Sequence, residues 1–187
     1  MLTQADIDAM KETLSNGVQV VSVPQLFPTP PHIVSLMIDY ADIDLCHSVL
    51  EPSAGTGCIV EALINYGLAW QQIAIAEINP SLCLALSDKY RRVFPGDFLG
   101  RVSWELGGDF DRILMNPPFK NGDDIKHITH ALTMLKSGGR LVAICANGSR
   151  QQAKLKPLST HWEDLPPNTF KEQGTNVNTA LLVIDKG

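Results

Sequence analysis

The sequence predicts an α/β domain: a mainly parallel sheet with helices on both faces, finished at one edge by an antiparallel C-terminal hairpin. Three observations predict it. Between residues 47 and 146 short apolar runs alternate with helical periods, the pattern of a parallel sheet covered on both faces. The first of those runs leads into a glycine turn, Glu51-Pro-Ser-Ala-Gly-Thr-Gly57, placed where doubly wound sheets bind ligands. The tail abandons the alternation for two extended runs around Gly174. A chain of 187 residues with 44% hydrophobic residues has the size and composition of one domain with a true core.

The elements follow in order. Thr3 caps a helix that aligns Ile7, Met10 and Leu14, and residues 17–27 are extended. Pro28-Thr-Pro-Pro31 launches the next helix, with Thr29 as cap and Pro30 in its first turn; Ile33, Leu36, Met37 and Tyr40 form its buried stripe. Residues 47–50 are the first strand, with a helix from about Gly57. Residues 73–77 are the second strand, followed by a helix over 81–90. Strands at 92–94 and 112–115, a helix over 123–135 and a strand over 141–146 complete the alternation. Residues 147–168 read as irregular. Strands at 169–173 and 176–184, turning at Gly174, form the hairpin.

Composition removes several function classes. The longest apolar runs are far too short to span a bilayer. The first twelve residues are polar and acidic, without a signal pattern, so a cytoplasmic protein is expected. Fifteen Lys and Arg against twenty Asp and Glu give a net charge of -5, which excludes a basic nucleic-acid coat but not a local basic patch. Residues 1–50 carry one basic and six acidic side chains, so a polyanion would approach the balanced remainder. Cys46, Cys58, Cys83 and Cys145 lack paired spacing and are expected as buried thiols. His127 and His130 have no third ligand at matching spacing, so no metal is expected.

The chemistry concentrates at strand ends. The turn 51–57 needs glycine where side chains would block a ligand or where φ is positive. Glu77 follows Gly57 by twenty residues at the end of the second strand, where a carboxylate accepts from both hydroxyls of a ribose. A dinucleotide loop would carry a third glycine where Val60 stands, and Glu51 would repel a pyrophosphate. Glu51 instead suits a ligand with positive charge, such as an amino-acid ammonium. Asp97, after the third strand, suits an exocyclic adenine amine, with Phe98 against the ring. At the end of the fourth strand stands Asn116-Pro-Pro-Phe119. Two prolines cannot continue a central strand; they stiffen the backbone and leave the Pro117 carbonyl free beside the Asn116 amide. Two acceptors and an aromatic ring suit a planar substrate with an NH2 group, preorganised for a nitrogen that gains positive charge.

These residues resemble the class I S-adenosylmethionine-dependent methyltransferases, and within them the amino-methyltransferases with an Asn-Pro-Pro-aromatic motif. The resemblance covers most of the chain, from Phe27-Pro-Thr-Pro30 through the turn 51–57 and Lys136-Ser-Gly-Gly-Arg140 to the tail 170–179. The order of motifs is that of the gamma arrangement of DNA adenine methyltransferases. The resemblance implies a Rossmann-like, seven-stranded sheet forming a single domain over 1–187. Residues 1–46 would form a helical lid over the cofactor and 47–187 the catalytic core, without a target-recognition domain. It implies S-adenosylmethionine as cofactor. Glu51, Ser53, Ala54, Gly55 and Gly57 would hold its methionine part, with Thr29 and Phe27 beside it. Glu77 would bind the ribose; Asp97, Phe98 and Ile78 the adenine. Asn116, Pro117, Pro118 and Phe119 would hold the target amine and base, with Asn116 also bordering the cofactor.

A DNA adenine-N6 methyltransferase is the first reading, with a homodimer or a separate subunit supplying specificity and a flipped-out base as the target. Lys120, Arg150, Lys154 and Lys156 would touch phosphates or form a solvated face. A second reading keeps the chemistry and changes the amine, to an RNA base, cytosine N4 or protein glutamine. A third is a non-catalytic, cofactor-binding subunit.

Overall fold

The computed structural model describes residues 28–172 and 174–187. The helix expected after Thr3, the extended segment 17–27 and the Phe27 contact lie outside them. Seven strands form one sheet: β1 (Val49–Glu51), β2 (Ile73–Glu77), β3 (Val93–Pro95), β4 (Phe110–Met115), β5 (Leu135–Ala146), β6 (His161–Asp164) and β7 (Thr179–Asp185). Their order is β3-β2-β1-β4-β5-β7-β6. β1 to β5 run parallel, whereas β7 is antiparallel to β5 and β6 to β7. The order reverses between β1 and β4, and ligands of doubly wound sheets sit at such a switch point.

Side-chain alternation along the strands divides the core in two. Val49, Ile73, Ile75, Leu114 and Val142 pack on one face with α1 (Pro31–Ala41), α2 (Cys58–Tyr66) and α3 (Pro80–Lys89). Leu50, Ala74, Ala76, Ile113 and Leu141 pack on the other with α4 (Asp123–Leu132). Neighbouring residues of each central strand thus serve opposite faces, which is why these strands read as unbroken apolar runs. No helix among the described residues is long and apolar enough to cross a membrane.

Several expectations change. The antiparallel pair is present, but its outer strand is β6 rather than residues 169–173. Turns bonded from Thr169 N–H to the Pro166 carbonyl and from Lys171 N–H to the Asn168 carbonyl occupy that stretch and sink Phe170 into the core. The irregular stretch 147–168 holds β6 and the short helix α5 (Ser149–Lys154). Pro30, not Thr29, is the N-cap of α1, and its buried positions are Ile33, Val34, Met37 and Ala41; Leu36 and Tyr40 are only half-buried. Cys83 and Cys145 are buried, Cys58 is partly so, and Cys46 is exposed because it sits in a turn where its N–H donates to Asp44 Oδ1.

Candidate active site

The glycine turn leaves β1 and caps α2. Gly55 has φ 56° and Gly57 φ 83°, and a Cβ on Gly57 would lie 2.7 Å from Leu86 Cδ2 on α3. Gly57 therefore serves both a left-handed cap and a close helix approach, the second task being the one a dinucleotide loop gives to its third glycine. The turn is tied to the end of β2. The Gly55 N–H donates to Glu77 Oε2 at 2.7 Å, the Ala54 N–H to the Ala76 carbonyl at 3.1 Å, and the Asn79 N–H to Glu77 Oε1 at 2.7 Å. Glu77 is thus oriented by one backbone donor on each oxygen, and each oxygen keeps further acceptor capacity.

Glu51 closes β1 with 1% of its surface exposed. Its Oε2 is buried without a hydrogen-bond partner. Burial pushes its carboxyl well above the ordinary carboxylate range; the Val60 N–H opposes the shift and the Glu77 charge adds to it. Such a buried, unpaired oxygen beside a second acid is costly alone and suits a cation.

After β3, Asp97 caps a short turn by accepting from the Leu99 N–H at 2.9 Å. It lines a cavity of about 260 Å³ together with Ser53, Ile78, Phe98, Pro118 and His127. Ile78 is exposed, whereas Phe98 is buried and packs against His127 and His130 of α4 at centroid distances of 5.8 and 4.9 Å. His130 is engaged with the Arg101 carbonyl at 2.9 Å. His127 sits 3.5 Å from Ser53 Oγ, and burial lowers its pKa.

Asn116 ends the site side of β4. Its Nδ2 donates to Thr29 Oγ1 at 3.1 Å, which places Thr29 beside the motif instead of capping a helix. Pro117 is buried and Pro118 half-buried. Phe119, whose ring the sequence offers to a planar substrate, is 8% exposed and meets Phe170 edge-on at 6.2 Å. The structure therefore gathers Thr29, Glu51, Ser53 to Gly57, Glu77, Ile78, Asp97, Phe98 and Asn116 to Phe119 at the carboxyl ends of β1 to β4. Pro118, expected in the site, is one of the cavity walls; sequence reasoning missed Asp123 and His127 in that place. The signal for both was there: they are four apart, hence on one face, of the helix that follows the proline motif.

Residues 68–166 match the family model described as methyltransferase small domain. The chain belongs to the methyltransferase small domain family. Family and fold give S-adenosylmethionine as its cofactor. Among curated relatives of the chain is the type II restriction enzyme and methyltransferase RM.BcgI of Heyndrickxia coagulans, 27% identical over 198 aligned positions. That match covers 85% of this chain and 31% of the relative. Among solved structures, the M protein of the type I restriction enzyme EcoKI superposes with a TM-score of 0.63 at 17% identity, over 100% of this chain and 48% of its own. TrmN from Thermus thermophilus superposes with a TM-score of 0.62 at 20% identity, over 84% and 49%. The chain thus spans about a third of the curated relative and half of these two structures.

Proposed function

We propose that this methyltransferase modifies an exocyclic amino nitrogen, adenine N6 in DNA. One observation carries the reading: Asn116-Pro-Pro-Phe119 lies at the carboxyl end of β4, with Glu51, Glu77 and Asp97 at the ends of the three strands beside it. The relationship to a restriction enzyme and methyltransferase supports DNA as the substrate.

The residues fit the cofactor. The unpartnered buried oxygen of Glu51 would take its ammonium group, and the backbone of 54–57 its methionine carboxylate side, with Ser53 and Thr29 adjoining. Glu77, already oriented, would accept from the ribose hydroxyls. The cavity edged by Ile78, Asp97 and Phe98 would hold the adenine. When bound, S-adenosylmethionine supplies an electrophilic methyl on a sulfonium. Asn116 Oδ1 and the Pro117 carbonyl accept from the two N–H bonds of the target amine and leave its lone pair for attack. The amine loses its proton after transfer, so no ionised base is needed. Phe119, fixed by Phe170, walls the base. A base in duplex DNA would first leave the stack. Lys120, Arg150, Lys154 and Lys156 offer phosphate contacts, and a second copy or a separate specificity subunit would select the sequence.

The test mixes purified protein and tritiated cofactor with unmethylated DNA, RNA and cell protein, followed by mass spectrometry of the labelled pool. Label as N6-methyladenine in DNA is the expected result. Label in RNA or protein moves the substrate, and cofactor binding without label in any pool makes the chain a non-catalytic module.

A further inference from the structure

An asparagine amide presents an acceptor at one end and donors at the other, and a turn of half a revolution exchanges them. An Asn116 turned the wrong way would aim N–H bonds at an incoming amine and repel it. Resting on the proposed methyl transfer, we propose that Thr29 is the positioning residue that holds the Asn116 amide with its oxygen toward the substrate.

The contact is direct, with Asn116 Nδ2 3.1 Å from Thr29 Oγ1. In that contact the Asn116 nitrogen donates and Thr29 Oγ1 accepts, which sets Asn116 Oδ1 at the opposite end of the amide. The arrangement is stiff at each joint. Thr29 is 5% exposed, so water does not compete. It precedes Pro30 and Pro31, which confine it to extended backbone at the start of α1. Asn116 is followed by two prolines. The contact thus joins the segment before α1 to the amine-binding motif.

Thr29→Val keeps the shape and removes the lone pair; Thr29→Ser keeps the hydroxyl. On unmethylated adenine-containing duplex DNA, Thr29→Val is expected to lower kcat by about tenfold or more. Turnover is compared at saturating S-adenosylmethionine, so that a change in cofactor affinity at this bordering residue does not enter, and Thr29→Ser recovers most of it. In the ligand-free protein, the Asn116 side-chain NH2 resonance is expected to exchange slowly with solvent in the parent and Thr29→Ser chains and rapidly in Thr29→Val. Unchanged turnover in Thr29→Val, an equal loss in both variants, or an Asn116 resonance indifferent to the substitution would each overturn the proposal. A parent chain that methylates no amine refutes the proposed function instead, and the resonance measurement then still decides whether Thr29 orients the amide.

Discussion

The proposed function gives Asn116 and Asp97 separate tasks, the target amine and the cofactor, and single substitutions separate them. Asn116→Ala is expected to abolish methyl transfer while calorimetric affinity for S-adenosylmethionine stays within a few-fold; full turnover would exclude the amine clamp. Asp97→Ala is expected to weaken cofactor binding by roughly 1–3 kcal/mol, the range for a lost charge-assisted hydrogen bond. Because Asp97 also caps the Leu99 turn, Asp97→Asn, which retains a good cap, tells loss of the contact from loss of the turn. These positions were legible in the sequence because acids and prolines at the ends of apolar strands have no packing purpose there. The aromatic rings were less so. Phe98 and Phe119 read as ligand faces, yet each spends most of its surface on neighbours, His127 and His130 in one case and Phe170 in the other. Which way a ring turns depends on partners remote in the chain. His127 was weighed only as a metal ligand, and the packing of α4 is what brings it to the cavity.

At the level of elements, Asp124 fastens α4 to β5 and α5. It is fully buried, accepts from the Ala146 N–H at 2.9 Å, and receives Gln151 Nε2 at 3.0 and 3.1 Å. Burial raises its pKa, and the Ala146 and Gln151 donors oppose the shift. Asp124→Ala would strand the Ala146 and Gln151 donors in the interior and is expected to cost about 2–3 kcal/mol in urea unfolding. A loss below a few tenths of a kcal/mol would show that the fastening is dispensable. The neighbouring Arg150 Nη1 donates to the Asn121 carbonyl at 3.1 Å, so the same junction also steadies the turn after Phe119. The central elements were readable from apolar runs and helical periods. β6 was not: His161-Trp162-Glu163-Asp164 holds one apolar side chain, and the strand exists through its ladder to β7, Trp162 opposite Leu182 and Asp164 opposite Ala180. Backbone pairing leaves no mark on hydropathy.

Over the whole molecule, acid stability rests in part on Asp111, which joins the approaches to β1 and β5. Burial would raise its carboxyl, but the Lys136 ammonium at 2.8 Å and the Ser48 N–H and hydroxyl outweigh that and hold it well below the ordinary range. A lowered native pKa means that this stabilisation is complete above about pH 4, where the free carboxyl ionises, and drains away as pH falls toward the native value. Asp111→Asn is therefore expected to be less stable at pH 7 and to show a flatter loss of stability below about pH 4, read from urea midpoints at several pH values. The parallel core with an antiparallel edge was legible as a whole, because the change in pattern after Ala146 marks where the topology changes. Glu51 has a consequence for energetics in solution. With no cation beside it, its carboxyl keeps its hydrogen to higher pH than an ordinary carboxyl does, held there first by burial and then by Glu77. An arriving ammonium group would expel that hydrogen into the buffer. Uptake of the donor should then tighten as pH rises toward the elevated pKa, and its measured heat should differ between buffers of high and low ionisation enthalpy; identical heats in both would mean that Glu51 is already ionised in the empty protein.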